Sequence, residues 1–529
     1  MNSNRRSFLQ KNCSAIGMAS LYSTLCTMRM TAGAAMNTDG YKAMVCLFLN
    51  GGNDSFNMLI PYSQQNGGID GYDGYAAARG GVGTDANGFK DSSLGTGLAI
   101  DRNALLATRL KAVQGQPANR YSVHPRLPFL KTRFDAGDLA FVANVGSLIE
   151  PTTITSYQQG SANLPLGLFS HPDHQMHWQT LRPQTRGATP KGWGGRIADI
   201  FTQANINGKV GMNISMAGNN TFQTGFYTEP YVTSPGGPSL LRNYDGILSN
   251  AVNSIMTDVY PNMFENTYAQ KQKNAIRLAE EFGEAFDLAS LNATAPNTTS
   301  SSKNKTAEQF AGVIKSIKAG KNHLGMNRQL FFVERGGWDH HNELLNAQGG
   351  IAYASNPNYN GNLEDGADGL FYEINEAIEY FWNELTAANL QDEVILFTIS
   401  DFGRTLTSNG QGSDHAWGGN AFVMGGGRNT DVTLGGPLKG GKIYGSYPVL
   451  DPINNGLDLD KHLDKARGRV LPTTSADAYL SELSSWFGVD SADLPFIFPN
   501  CEKFFTPAEN AYPLGMLDGN PSGSYYISA

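Results

Sequence analysis

Four mainly apolar runs, rich in β-branched and aromatic side chains, punctuate the chain at Met44–Leu49, Leu139–Val145, Gln329–Val333 and Val394–Ile399. A run without polar alternation suits a strand buried on both faces, and each is bounded by Gly, Asn, Asp or Ser on at least one side. Helical spacing fills the intervals. Phe310, Val313, Ile314 and Ile317 form a stripe behind Thr306-x-x-Gln309, which has the form of a capping box. Leu370, Ile374, Ala377, Ile378, Phe381 and Leu385 form a longer stripe, and Leu278, Ala279, Phe282 and Phe286 another. A last helix is predicted behind Thr474 and Asp477, with Tyr479, Leu480, Leu483, Trp486 and Phe487 facing inward and Gly488 stopping it. Buried strands separated by helices predict an α/β fold, a mainly parallel sheet with helices on both faces. The stretches at about 65–110 and 207–261 are too polar or too irregular for core and are expected as loop insertions on one domain.

Composition narrows the class. Glycine contributes 61 of 529 residues, above the usual ~7 %, and concentrates in loops. A net charge of -8 offers no basic footprint for nucleic acid. The N-terminus reads Arg5-Arg6-Ser7-Phe8-Leu9, then a weakly apolar run from Ala15 to Leu25, then Ala32-Gly33-Ala34. That is a twin-arginine export signal with a cleavage site, too short for a membrane span of ~20 apolar residues. Residues 1–35 are therefore expected to be removed, and 36–529 to form one domain that crosses already folded, to a periplasmic or secreted location, with no stable membrane anchor. Two cysteines, Cys46 and Cys501, remain in the mature chain; one bridge is open to them, although Cys46 inside an apolar run reads as a small buried hydrophobe.

Chemistry in an open α/β sheet gathers outside the carboxyl ends of the strands. Three predicted strands run into polar, Gly-punctuated motifs: Asn50-Gly51-Gly52-Asn53-Asp54-Ser55 after the first, Gly336-Gly337-Trp338-Asp339-His340-His341 after the third, and Ser400-Asp401-Phe402-Gly403-Arg404 after the fourth. The last is followed by Ser413-Asp414-His415-Ala416-Trp417, and Ser170-His171-Pro172-Asp173-His174-Gln175-Met176-His177-Trp178 lies between the first and third. Six of nine histidines fall in these motifs. Asp and His clusters on rigid strand ends are what an oxygen- and nitrogen-donor metal site needs. Any one of Asp54, Asp339 or Asp401 taken singly also reads as an N-cap or turn residue.

The motifs VCLFLNGGNDSFNMLIPY, FSHPDHQMHW, GWGGRIAD, ERGGWDHHNE, TISDFGRTLTSNGQGSDHAWGG and YLSELSSWFGVDSADLPFIFPN resemble the twin-arginine-exported domain-of-unknown-function family fifteen-oh-one over nearly the whole mature chain. That family is in turn similar to the alkaline phosphatase and sulfatase superfamily. The resemblance implies an alkaline phosphatase-like fold, a divalent metal (zinc, calcium or manganese) and an exported hydrolase of phosphate or sulfate esters, acting on a small molecule or a polymer. It implies Asp54, Asp339, His341, Asp401 and His415 as metal ligands and Ser170 as nucleophile, with Ser55 as the alternative. His171 or Arg404 would clamp an ester oxygen, Arg404 having loop ordering as its other reading. His340 is an extra ligand or a spectator. Phe402 stands where two-metal members carry His, which removes a ligand from a second site. The competing class is a non-catalytic periplasmic or surface binding module that keeps the fold.

The export reading has its own test. With Arg5 and Arg6 both changed to Lys, uncleaved precursor is expected to accumulate in the cytoplasm; periplasmic yield equal to wild type would contradict it.

Overall fold

The computed structural model describes residues 40–517, apart from 65–67, 82–96, 112–119, 202–210, 239–245, 259, 298–302, 342–365, 410–411, 428–435, 462–466 and 509–511. The expected signal, residues 1–35, lies outside the described residues. All four expected strands form, as β1 (Lys42–Leu49), β2 (Leu139–Gly146), β5 (Arg328–Arg335) and β6 (Val394–Ser400). They belong to a nine-stranded sheet that also contains β3 (Asn213–Ser215), β4 (Tyr231–Val232), β7 (Gly419–Met424), β8 (Ile443–Gly445) and β9 (Thr474–Ser475). The order is β8-β2-β7-β6-β1-β5-β3-β4, with β9 beside β2. Only β7 runs antiparallel to its neighbours, β2 and β6.

Two expectations about loops are corrected here. The stretch 207–261 is not all surface insertion, because β3 pairs with β5 and β4 with β3, extending the sheet. Nor is 65–110 free of core: Tyr72, Tyr75, Ala99, Ile100 and Leu105 pack with Phe56, Ile60 and Leu406 into a separate apolar cluster. Strands of two or three residues carry too little periodicity to read, and scattered apolar residues among glycines conceal a small core.

The continuous apolar strands follow from burial on both faces. Along β1, Ala43, Val45, Leu47 and Leu49 point into one core, while Met44, Cys46 and Phe48 point into another. Helices α4 (Met263–Leu288), α5 (Lys305–Asn322) and α6 (Gly366–Ala387) cover the first through Phe282, Phe310, Ile374 and Phe381. The second is covered by α2 (His171–Thr180), α3 (Trp193–Ile200) and α7 (Ala476–Phe487), through Trp178, Trp193 and Leu480. On the first face, α1 (Pro128–Ala136) adds Leu130 and Phe134. Cys46 and Cys501 are both buried and free, so neither bridges the other. No helix among the described residues is long and apolar enough to cross a membrane.

Two caps also differ from expectation. Asn304, not Thr306, caps α5 by accepting from the Ala307 N–H, while the Thr306 hydroxyl donates to Glu373. Ser475 caps α7 in place of Thr474, whose hydroxyl donates to the Ala143 carbonyl. In each case a neighbouring side chain with the same capping chemistry holds the turn, and tertiary partners claim the expected one. Gly488 ends α7 with φ of 115°, as expected of a left-handed stop.

On α7, buried Glu482 accepts N–H groups from Leu514, Gly515, Met516 and Leu517, fastening the end of the described chain to the sheet face. Replacing Glu482 with Gln turns an amide NH2 toward two of these donors and leaves them unsatisfied. Denaturant unfolding should show a loss of about 2–4 kcal/mol, since each stranded donor costs ~1–3 kcal/mol. A loss within error of zero would mean that this anchor carries no stability.

Candidate metal centre

The parallel register fixes where the loops begin. Leu49 lies opposite Arg335 on one side and Ser400 on the other, so the motifs starting at Asn50, Gly336 and Asp401 leave the sheet at one level of its carboxyl edge. Because β7 runs antiparallel to β6, its entering segment, which carries His415, arrives at the same edge. That segment pairs with the loop after β6: the Ala416 and Gly403 N–H groups donate to Gly403 O and Trp417 O, and the Thr405 N–H to Asp414 O. Gly51 and Gly52 make the close approach possible. Both have positive φ, and a Cβ would lie 2.7 Å from the Asp339 backbone nitrogen at Gly51 and 2.6 Å from the Phe402 ring at Gly52.

Three imidazoles and a carboxylate meet above this edge. Nε2 of His415 lies 3.0 Å from Nε2 of His171, 2.9 Å from Nε2 of His341 and 3.2 Å from Oδ1 of Asp339. Nε2 of His171 is 3.3 Å from Asp339 Oδ2, and Nε2 of His341 is 3.2 Å from Asp339 Oδ1. The far nitrogen of each ring fixes its tautomer. Nδ1 of His171 donates to Asp401 Oδ2 at 2.7 Å, Nδ1 of His341 to Asp414 Oδ1 at 3.1 Å, and Nδ1 of His415 to the Phe169 carbonyl at 2.7 Å. Carboxylates and carbonyls only accept, so each ring places its proton there and turns an Nε2 lone pair to the common point. Four acceptors facing one another repel unless a cation sits among them, and ring N–H groups anchored on oxygen are the usual outer layer of a metal site.

Asp401 is held by one face of α2. Its Oδ2 also accepts from Gln175 at 3.0 Å, and its backbone carbonyl accepts from His174 Nδ1 at 3.1 Å and Trp178 Nε1 at 3.0 Å. Positions 171, 174, 175 and 178 are the one-, three- and four-residue neighbours that share a helix face. The Asp401 Oδ1 accepts the Gly51 N–H at 3.1 Å. The hydrogen bond that His171 donates to Asp401 raises the His171 pKa above its ordinary value, while burial lowers that of His415. Burial alone would raise the Asp339 carboxyl; Arg404, His171 and His341 together hold it below the usual range. Phe402 packs on the rings of His171 and His415 at centroid distances of 4.7 and 4.5 Å, so the residue standing in place of His is an apolar wall.

The expected residues thus separate. His341, Asp339 and His415 converge, joined by His171, which had been expected at an ester oxygen. Asp401 stands behind His171 instead of at the common point. The Asp54 carboxylate is engaged by buried Arg79, and neither residue is more than 1 % exposed, so it serves an internal ion pair and not the converging group. Arg404 is fully buried and donates to Asp339 at 2.6 Å, to both oxygens of Ser413 and toward Gly51 O, which makes it a loop-ordering residue that aims Asp339 instead of an ester clamp. His340 takes no part: its ring is largely buried and held neutral, its pKa pushed down to about 4 by burial. Ser170 occupies the N-cap position of α2, half-buried, without a capping bond from its side chain. Ser55 is buried and accepts the Asn420 N–H, which closes it to a substrate. Asp414, Gln175 and the Phe169 carbonyl went unrecognised, though Asp414 directly precedes His415.

The family profile described as Protein of unknown function (DUF1501) matches residues 41–451. The chain belongs to that family. No curated protein matches it. Among solved structures it is similar to the integral membrane lipooligosaccharide phosphoethanolamine transferase A of Neisseria meningitidis, at 11 % identity over 92 % of this chain and 65 % of that one, with a TM-score of 0.32. It is also similar to the PsFucS1 sulfatase of Pseudoalteromonas sp., at 10 % identity over 85 % and 76 % of the two chains, TM-score 0.29. A further similarity is to Ps i-CgsB in complex with k-i-k-neocarrahexaose, at 10 % identity over 82 % and 76 %, TM-score 0.28. For this DUF1501 member the functional reading rests on the chemistry of the four converging groups.

Removing an outer anchor tests that chemistry without touching a ligand. Asp401→Asn puts an amide where the His171 and Gln175 donors point or where the Gly51 N–H points, and should weaken zinc affinity by about 10–100-fold in a chelator competition. Unchanged affinity would show that His171 needs no such support.

Proposed function

We propose that this chain is an exported, metal-dependent hydrolase of phosphate or sulfate esters with an alkaline phosphatase-like arrangement. The observation that carries the reading is the convergence of three Nε2 lone pairs and the Asp339 carboxylate, each imidazole anchored through Nδ1 to an oxygen. His171, Asp339 and His415 would hold the ion, and their donor atoms lie within 4.8 Å of one another. Two nitrogens with a carboxylate suit zinc or a similar first-row ion and speak against calcium, which takes oxygen ligands. A divalent ion held there would supply Lewis acidity, offsetting negative charge on ester oxygens.

The protein's own groups do the rest. Asp339 and His341 are 41 % and 42 % exposed, so the group opens to solvent and a substrate reaches it from there. Ser170, beside His171, is the assigned nucleophile, and the N-terminus of α2 directs its positive dipole end toward an anionic ester. Arg404, with no access to solvent, keeps the Asp339 carboxylate ionised and aimed. Export through the twin-arginine route is part of the same proposal, since that route carries cargo folded around its metal.

A second reading draws on one further contact. His341 Nε2 touches both His415 Nε2 and Asp339 Oδ1, and with His341 as a fourth ligand protein donors would fill every position, as in structural sites. The chain would then be a binding module. Nitrophenyl phosphate and nitrophenyl sulfate separate the two. The hydrolase reading expects turnover by the metal-loaded protein, and Ser170→Ala that keeps metal and melting temperature but loses hydrolysis by several orders of magnitude. Stoichiometric metal without turnover of any phosphate or sulfate ester would support the binding module; turnover that survives both Ser170→Ala and metal removal would refute the mechanism.

A further inference from the structure

The face of α2 turned away from Asp401 borders a cavity of about 340 Å3, walled on its other side by the segment from Arg182 to Lys191 and by Phe226. Helix positions 173, 176, 177 and 180 line it, opposite the face that carries 171, 174, 175 and 178. The volume falls in the ~300–1,000 Å3 range of small-molecule sites, larger than a bare inorganic anion fills.

Its charge is unbalanced. Arg182, Arg186 and Lys191 face a single carboxylate, Asp173, and Arg186 already engages that carboxylate through hydrogen bonds of 2.6 and 2.8 Å. Among the described residues no acid pairs with Arg182 or Lys191, which leaves two positive charges at one cavity in a chain of net charge -8. The Nε of Arg182 is shielded from solvent and has no hydrogen-bond partner. The other guanidinium N–H groups of Arg182 and the Lys191 ammonium offer an anion charge-assisted hydrogen bonds, which are stronger than neutral ones. Met176 and Phe226 give the same cavity an apolar wall.

We propose that this cavity binds an organic anion, a carboxylate, sulfate or phosphate attached to an apolar or ring-shaped body, with Arg182 and Lys191 holding the charge and Met176 and Phe226 the body. The site lies across α2 from the converging histidines and does not depend on the hydrolase reading.

Titration calorimetry with naphthalene-2-sulfonate as probe, on the mature protein, tests this. Saturable binding is expected, weakening with salt, with neutral naphthalene-2-sulfonamide binding at least about tenfold more weakly. Arg182→Gln and Lys191→Gln should each weaken the sulfonate by about five- to tenfold with metal content unchanged, and Lys191→Gln keeps the test open should Arg182→Gln fail to fold. His415→Ala should leave sulfonate binding intact, which distinguishes this cavity from an anion held at the metal. No saturable binding, equal binding of the sulfonamide, or loss of binding in His415→Ala with none in Lys191→Gln would overturn the assignment.

Discussion

The arrangement of the carboxyl edge depends on where three protons go. Asp401, Asp414 and the Phe169 carbonyl each accept an Nδ1–H from one histidine, and that leaves three Nε2 lone pairs and Asp339 aimed at one point. Without the oxygen anchors the rings are free to flip and share protons among themselves. With them, the mutual repulsion of four acceptors is fixed into the fold, and a cation is the group that relieves it.

Much of the surrounding structure follows from maintaining those anchors. The Asp401 side chain is fully buried and is reached from the loop after β1 by the Gly51 N–H and from α2 by His171 and Gln175. The buried Asp54–Arg79 pair ties the loop after β1 to the glycine-rich stretch that follows it, and breaking such a pair from one side costs ~3–5 kcal/mol. Arg404 joins the loop after β6 to both Asp339 and Ser413, so the segments carrying Asp339 and His415 are braced against a common residue. The strands deliver these loops at one level, and the loops use charged and polar contacts to hold the histidines.

The sheet's centre was legible because β1, β2, β5 and β6 are buried on both faces and so read as mainly apolar runs. Strand β7, six residues directly behind a Gly-Gly motif, and the two- and three-residue strands β3, β4, β8 and β9 were not, since their pattern is shorter than a period can show. At the site, residue type and strand-end position pointed to Asp339, His341 and His415. They could not separate a group at the common point from one a layer behind it, which is a matter of a few ångströms: Asp401 and Asp54 have the chemistry of ligands, yet one orients His171 and the other neutralises Arg79. Arg79 lies 25 residues beyond Asp54 in a segment that looked too polar to be core. The Phe169 carbonyl leaves no trace in side-chain identity.

The central claim is that these imidazoles share one transition-metal ion. X-ray absorption at the zinc edge, on the purified protein, addresses it directly. The account predicts one ion per chain with only nitrogen and oxygen neighbours, at about 2.0–2.2 Å, showing the outer-shell scattering of two or more imidazoles, and loss of that signal in His415→Ala. Protein free of stoichiometric zinc or any other first-row metal, or an ion with oxygen neighbours alone, would contradict it.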